Sequence, residues 1–233
     1  MRRLMISAAL TSLTLFAGQT ARAESAEPPA AAAKPAAAAA VTPAPPQLDA
    51  FEQAMAASRV ADFGRRQKDP HALIVAARML QEIPMQDGAE AADPTAPPPP
   101  FSAEALFDEA KVLAKGDAQL LMQINLAQNA DSRGVLSSMF GAGLVRIVRD
   151  VSGRQVFAFP IKAKGGELLR IGAIGDARTE IGMRLRDKAG KLLCDVSGDF
   201  APVCSIRPKN AGDFKVEVLN RGSAATRAVI LSN

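Results

Sequence analysis

Alternation of apolar and polar residues with period two, repeated between residues 156 and 218, most narrows the folds open to this chain. Phe157, Phe159 and Ile161 share one side of a strand, and Leu169, Ile171 and Ala173 share one side of the next. Ile181, Met183 and Leu185 alternate with Gly182, Arg184 and Arg186; Phe214, Val216 and Val218 alternate with Lys215 and Glu217. Side chains two apart point to one face, so each run predicts one buried and one wet face. That is the pattern of antiparallel sheets covered on a single side. Turn residues separate the runs: Gly165-Gly166, the stretch Asp187 to Gly190, and Asn210-Ala211-Gly212. Short strands at spacings of roughly 8–12 residues predict a β-sandwich. It is placed over residues 132–233, with Leu144 to Val151 as its first strand.

Part of this region is familiar. Gly175-Asp176, the run Ile181 to Leu185, the run Asp187 to Cys194, and the ending Gly212 to Val218 with Asn220-Arg221-Gly222 resemble the bacterial pre-peptidase C-terminal domain. The resemblance covers the final third of the chain. It implies an eight-stranded jelly-roll sandwich in an accessory role beside secreted proteins, often proteases. Members of that family often carry a ladder of aspartates after the Gly-Asp. Here Arg178 and Gly182 occupy ladder positions, leaving Asp176 and Glu180. Calcium needs six or more oxygen ligands, so no structural calcium, and no other metal or cofactor, is expected.

The N-terminus reads as a secretory leader over residues 1–23. Arg2 and Arg3 precede the uncharged, mostly apolar run Leu4 to Ala17. That run falls short of the roughly 18 apolar residues a membrane span requires. Ala21-Arg22-Ala23 fits a small-x-small cleavage site, with the cut between Ala23 and Glu24. No later apolar run is long enough to span either, so no membrane insertion is expected after removal of the leader. Residues 24–47 are mostly Ala and Pro and carry too little apolar bulk to offset the entropy of ordering. They read as an extended linker.

Helical signals occupy residues 48–131, interrupted by a Pro-rich insertion at 85–100. Leu48 to Phe63 is apolar-periodic, with Phe51 and Met55 on one face. Asp69-Pro70 supplies an N-cap and a first-turn proline to a helix with the stripe Leu73, Ala76, Ala77 and Leu80. Ser102 caps a third helix, with Phe101 able to staple onto Leu106 and Gly116 ending it. Asp117 caps a fourth, with Leu120, Ile124 and Ala127 inward. The second and third helices echo each other, Ala72-Leu73 and Leu80 matching Ala105-Leu106 and Leu113, at a spacing near helical-repeat periods. Two copies are too few for a solenoid and favour a small bundle. The fold class expected is segregated α+β, a small helical domain followed by an antiparallel, jelly-roll-like sandwich.

Charge is distributed unevenly. Residues 24–132 hold 8 basic and 15 acidic residues, and residues 133–233 hold 17 and 9. Arg170, Arg184 and Arg186 fall on predicted wet positions of the basic half, where a weak anion-binding face is expected.

The chemistry available is limited. The one histidine, His71, opens a helix, and no Gly-x-Ser-x-Gly elbow accompanies it. No phosphate-binding or dinucleotide-binding glycine motif is present. Asp108 and Glu109 are adjacent on a helix, point about 100° apart, and read as a solvated face. Asp176 and Asp187 read as acceptors for backbone amides at strand ends. All ten aromatic residues are Phe, which argues against sugar-stacking platforms and single-strand nucleic-acid binding. No catalytic residue is assigned.

Two cysteines in an exported chain allow one intramolecular disulfide, Cys194–Cys204, expected between adjacent antiparallel strand ends. These readings lead to the expectation of a non-enzymatic binding or structural module in the periplasm or beyond it. Its partner would be an envelope protein or glycan. Two alternatives stand beside it: an accessory or inhibitory partner of a secreted protease, and a binder of polyanions or envelope glycans through the basic half.

Overall fold

The computed structural model describes residues 49–88, 99–130, 143–176 and 179–233. The leader with its Ala23–Glu24 junction, the Ala/Pro linker, residues 89–98, the connection at 131–142 and Arg178 lie outside the described residues.

Among the described residues four helices form: α1 (Ala50–Gln67), α2 (Pro70–Gln81), α3 (Ala103–Ala114) and α4 (Ala118–Asn129), the last three where the caps Asp69, Ser102 and Asp117 place them. Each begins on a side chain that accepts from free first-turn amides. Asp49 takes Glu52 N–H, Asp69 takes those of His71 and Ala72, Ser102 takes Ala105, and Asp117 takes Gln119 and Leu120. Each cap is worth about 1 kcal/mol. The stripe Leu73, Ala76, Ala77 and Leu80 is buried, as are Phe101 and Leu106. α1 runs one turn beyond Phe63, ending where Lys68 adopts the left-handed conformation and its N–H returns to Arg65 and Gly64 carbonyls.

Among the described residues nine strands are distributed over two sheets: β1 (Met85–Asp87), β2 (Leu144–Val151), β3 (Val156–Ala163), β4 (Leu169–Ile174), β5 (Ile181–Asp187), β6 (Leu192–Asp199), β7 (Val203–Ile206), β8 (Gly212–Asn220) and β9 (Thr226–Ser232). One sheet has the order β1-β2-β9-β4-β7, the other β3-β8-β5-β6. Taken without β1, the eight strands switch sheets at every step except the β5–β6 hairpin, which is jelly-roll order. All pairings among these eight are antiparallel. Strand β1 departs from the sequence reading, which puts Met85 to Asp87 in a proline-rich spacer. It pairs in parallel with β2, Met85 opposite Leu144, and Arg146 holds Asp87 at 2.8 Å.

Two cores result. The first fills the sandwich with Ile171, Ala173, Ile181, Met183, Leu185, Val216, Val218 and Ile230, the residues of the period-two runs with β9 added. The second lies between the helices and the outer face of the five-stranded sheet, where Phe51, Met55, Leu73 and Phe107 cluster with Ile174, Val229 and Leu231. Hence the expectation of a single covered side holds for the four-stranded sheet and fails for its partner. Strand β9 is apolar from Ala228 to Leu231 because both of its faces are dry. Gly172, on the outer face of β4, permits this layering. A Cβ there would stand 2.7 Å from Met55 Sδ and 3.3 Å from the Phe51 ring. Helices and strands belong to one unit, Pro45–Asn233.

Cys194 and Cys204 are bonded, with Cα atoms 6.0 Å apart. The pairing matches expectation, but its setting does not. The bond joins β6 to β7, which lie in different sheets, rather than two neighbours in one ladder.

Candidate functional site

A concavity lies where the end of α1, the start of α3 and the end of β4 converge. It encloses about 570 Å³ between Arg65, Arg66, Pro100, Phe101, Glu109, Ile174, Gly175 and Asp176. Each wall has a local cause. Arg65 and Arg66 fall in the last turn of α1, where cations complement the helix dipole. The Ser102 cap and the buried Phe101 ring set the start of α3, from which Glu109 projects further along. Gly175 follows β4, its N–H donating to Phe200 O at 3.0 Å; a Cβ there would stand 2.4 Å from Ile181 Cδ1. The Gly175-Asp176 pair that carries the family resemblance therefore lies on the cleft wall.

The electrostatics of the cleft are closed pairs. Arg65 binds Glu109 in a fork, Nε to Oε2 at 2.7 Å and Nη2 to Oε1 at 2.6 Å, and Nη2 also donates to Pro100 O at 3.1 Å. Arg66 holds the buried Asp62 at 2.6 Å. A second groove, about 490 Å³, shares Arg65 and Glu109 with the cleft and is lined by Leu73, Ala105, Val112 and Leu113. The Arg65–Glu109 fork thus borders both a polar cleft and an apolar groove. Neither concavity is lined by a serine, threonine, cysteine, lysine or histidine among the described residues.

The residues singled out in the sequence are scattered. His71 is exposed on the first turn of α2. Asp108 and Glu109 do not form one solvated face: Asp108 pairs with Lys111 at 3.0 Å, whereas Glu109 turns to Arg65. Asp187 bonds the amides of Ala189 and Lys191, both at 2.9 Å, and so shapes its own turn. Among the described residues no group of three His, Cys, Asp or Glu is placed to hold a metal.

Arg170, Arg184 and Arg186, the three arginines expected to form an anion-binding face, lie on two sheets, each with a carboxylate partner. Arg184 pairs with Asp195 at 3.1 Å, and Arg186 with Glu217 at 3.3 Å. Lys215, hydrogen-bonded to Glu217, and Arg186 hold that carboxyl below its ordinary value of 4.5. Arg170 is not on a wet face. It lies under α1, over the Phe51 ring at 5.2 Å, and binds Asp49 and Glu52. Burial pushes the Asp49 carboxyl up, but the Glu52 amide and Arg170 outweigh it and leave it below the ordinary 3.8.

Sequence reasoning misses Arg65 and Glu109 as cleft residues. They are 44 residues apart, and no local pattern connects them.

No family model matches this chain. No curated protein matches it either. Among solved structures it is similar to a mitogen from Yersinia pseudotuberculosis, with 8% identity over 39% of this chain and 84% of that one, at a TM-score of 0.30. It is also similar to the pre-peptidase C-terminal domain of a collagenase from Bacillus anthracis, with 9% identity over 37% of this chain and 84% of that one, also at a TM-score of 0.30.

Proposed function

We propose that this protein is an exported, non-enzymatic binding module of the bacterial envelope, acting in the periplasm or outside the cell, and that the cleft at the helix–sheet junction is its contact site. The observation that carries this reading is the make-up of that cleft. Its cations are already matched, Arg65 by Glu109 and Arg66 by Asp62. Such a site offers oriented donors and acceptors on a rigid frame, which suits recognition. Its described lining holds no nucleophile-and-base arrangement of the kind that acyl or phosphoryl transfer needs. Export is supported by the leader-like residues 1–23 and by the disulfide, a bond characteristic of oxidising compartments. No described helix is long and apolar enough to cross a membrane. The resemblance of the β region to the pre-peptidase C-terminal family fits an accessory rather than a reactive role.

The test has two steps. The chain is expressed with its leader, and the mass of the periplasmic product is measured; a start at Glu24 is expected. That product is then immobilised, exposed to envelope extract and footprinted by hydrogen exchange. Protection at 100–101, 109 and 174–176 supports the reading. Retention of nothing, or protection confined to other surfaces, overturns it.

A further inference from the structure

The outer face of the four-stranded sheet carries a row of guanidinium groups along β5. Residues 182, 184 and 186 point outward, because Ile181, Met183 and Leu185 are buried in the sandwich core. Arg184 and Arg186 occupy two of these positions. The third, Gly182, has no side chain and is covered by Arg221, which follows β8. A Cβ at Gly182 would stand 3.2 Å from Arg221 Nε. Outward positions along one strand recur at about 6.8 Å, so the three guanidinium groups extend over about 14 Å in one line.

Each group keeps donors that the protein does not use. Arg184 engages Asp195 through Nε alone, leaving both Nη groups. Arg186 engages Glu217 through Nε and Gly190 O through Nη1, leaving Nη2. Arg221 has no side-chain hydrogen bond or ion pair among the described residues. Its backbone N–H donates to Glu180 O at 3.0 Å, but the two side chains form no pair. The carboxylates orient the row rather than cover it. Glu217, whose side chain is only 14% exposed, binds both Arg186 and Lys215, and Asp195 holds Arg184 by one edge.

The surroundings narrow the ligand. Forked donors in a line suit a chain of carboxylates, each met by two N–H groups, better than a single point charge. Among the described residues the face presents no aromatic side chain: Phe157, Phe159 and Phe214 pack on the core side. Base stacking, on which single-strand nucleic-acid binding depends, therefore has no platform here.

We propose that this row binds an acidic polysaccharide, a chain of sugar carboxylates lying along β5 and held by charge-assisted hydrogen bonds from Arg221, Arg184 and Arg186. The surface is distinct from the cleft at the helix–sheet junction, whose strand wall belongs to the other sheet. All three arginines are open to water, so binding is weak and sensitive to salt.

The test measures binding of polygalacturonate to the immobilised periplasmic product by biolayer interferometry. Affinity should fall roughly tenfold as salt rises from about 50 to about 200 mM. Arg221→Ala should weaken binding roughly threefold, and Arg184→Ala with Arg221→Ala roughly tenfold, with circular dichroism unchanged. Arg59→Ala removes an exposed cation from α1 instead and should leave affinity as it was. Methyl-esterified polygalacturonate keeps the sugar chain without its charges and should not bind; this control does not depend on any variant folding. Four results would each overturn the proposal: no binding at the lower salt, equal binding of the methyl ester, a loss in Arg59→Ala as large as in Arg221→Ala, or tighter binding of oligothymidylate or of phosphatidylglycerol vesicles than of polygalacturonate.

Discussion

Arg170 of β4 donates to the carboxylate of Asp49, 121 residues earlier, at the N-cap of α1. The contact fastens the helical layer to the five-stranded sheet, and it titrates. The folded Asp49 carboxyl lies below its ordinary value. Its contribution to stability is therefore complete above the ordinary carboxylate range and is lost as pH falls through the folded value. Asp49→Asn keeps a good capping side chain and removes the charge. At pH 7 it should lower stability by no more than about 1 kcal/mol, because Asp49 is half exposed and solvent screens the pair. Urea titrations of both proteins should converge below about pH 3. A gap that stays constant with pH would show that the charge is not what matters.

Cys194 and Cys204 close the open side of the sandwich, where β6 and β7 are edge strands of different sheets. No ladder hydrogen bonds join those strands, so the covalent bond substitutes for them. Thiol titration of denatured, unreduced protein should find no free thiol. Cys194→Ser should cost about 2–3 kcal/mol, as expected for a loop this short. The double serine variant should cost no more than the single one, since either change removes the same bond.

Gly172 tests the helical layer directly. Gly172→Val would drive a branched side chain into Met55 and Phe51, both buried. Overpacking of this kind costs about 1–3 kcal/mol. Hydrogen exchange should show faster opening of α1, with β5 and β8 little changed. Equal loosening of every element would mean that the helices and sandwich open only together.

These contacts mark the limit of what the chain discloses in one dimension. Asp69, Ser102 and Asp117 are legible as caps because a cap acts within three residues of itself. The runs in β5 and β8 are legible because one face of each is wet. Strand β9 is not, since burial on both faces erases alternation. Strand β1 is not, since Met85-Gln86-Asp87 has no pattern and pairs only with a distant strand. Arg170 satisfies the rule for an outward residue and still ends half-buried, because the layer above it comes from another part of the chain. The cleft is least legible. Its Gly175-Asp176 edge stands out through resemblance, but Arg65 and Glu109 meet only once α1 and α3 are docked.

The Arg65–Glu109 fork should prove a modest stabiliser. The two side chains are 20% and 37% exposed, so the pair is partly screened. A double-mutant cycle with Arg65→Ala and Glu109→Ala should return a coupling of about 1 kcal/mol. A coupling near zero would leave the fork with no measurable part in holding α1 to α3.

Asn220, only 2% exposed, joins three segments at one end of the sandwich. Its Nδ2 donates to Val151 O and Ala224 O, each at 2.8 Å, and its Oδ1 accepts from Gly222 N–H at 2.9 Å. The end of β2 is thereby tied to the β8–β9 loop. Gly153 sits in the same corner, where a Cβ would stand 2.1 Å from Ser223 O. That obstacle is backbone and cannot rotate aside. Asn220→Ala strands two carbonyls and an amide, and should cost about 2–4 kcal/mol. Gly153→Ala should cost about 1–3 kcal/mol by forcing the loop outward. Gly212→Ala is the control: it meets open space, and its effect should lie between neutral and about 1 kcal/mol stabilising. Because Asn220 and Gly153 act on one loop, the double variant should lose less than the sum of the two. Denaturant midpoints for these four variants and the unmodified chain decide it. An Asn220→Ala midpoint equal to that of the unmodified chain would show that the corner holds without its amide.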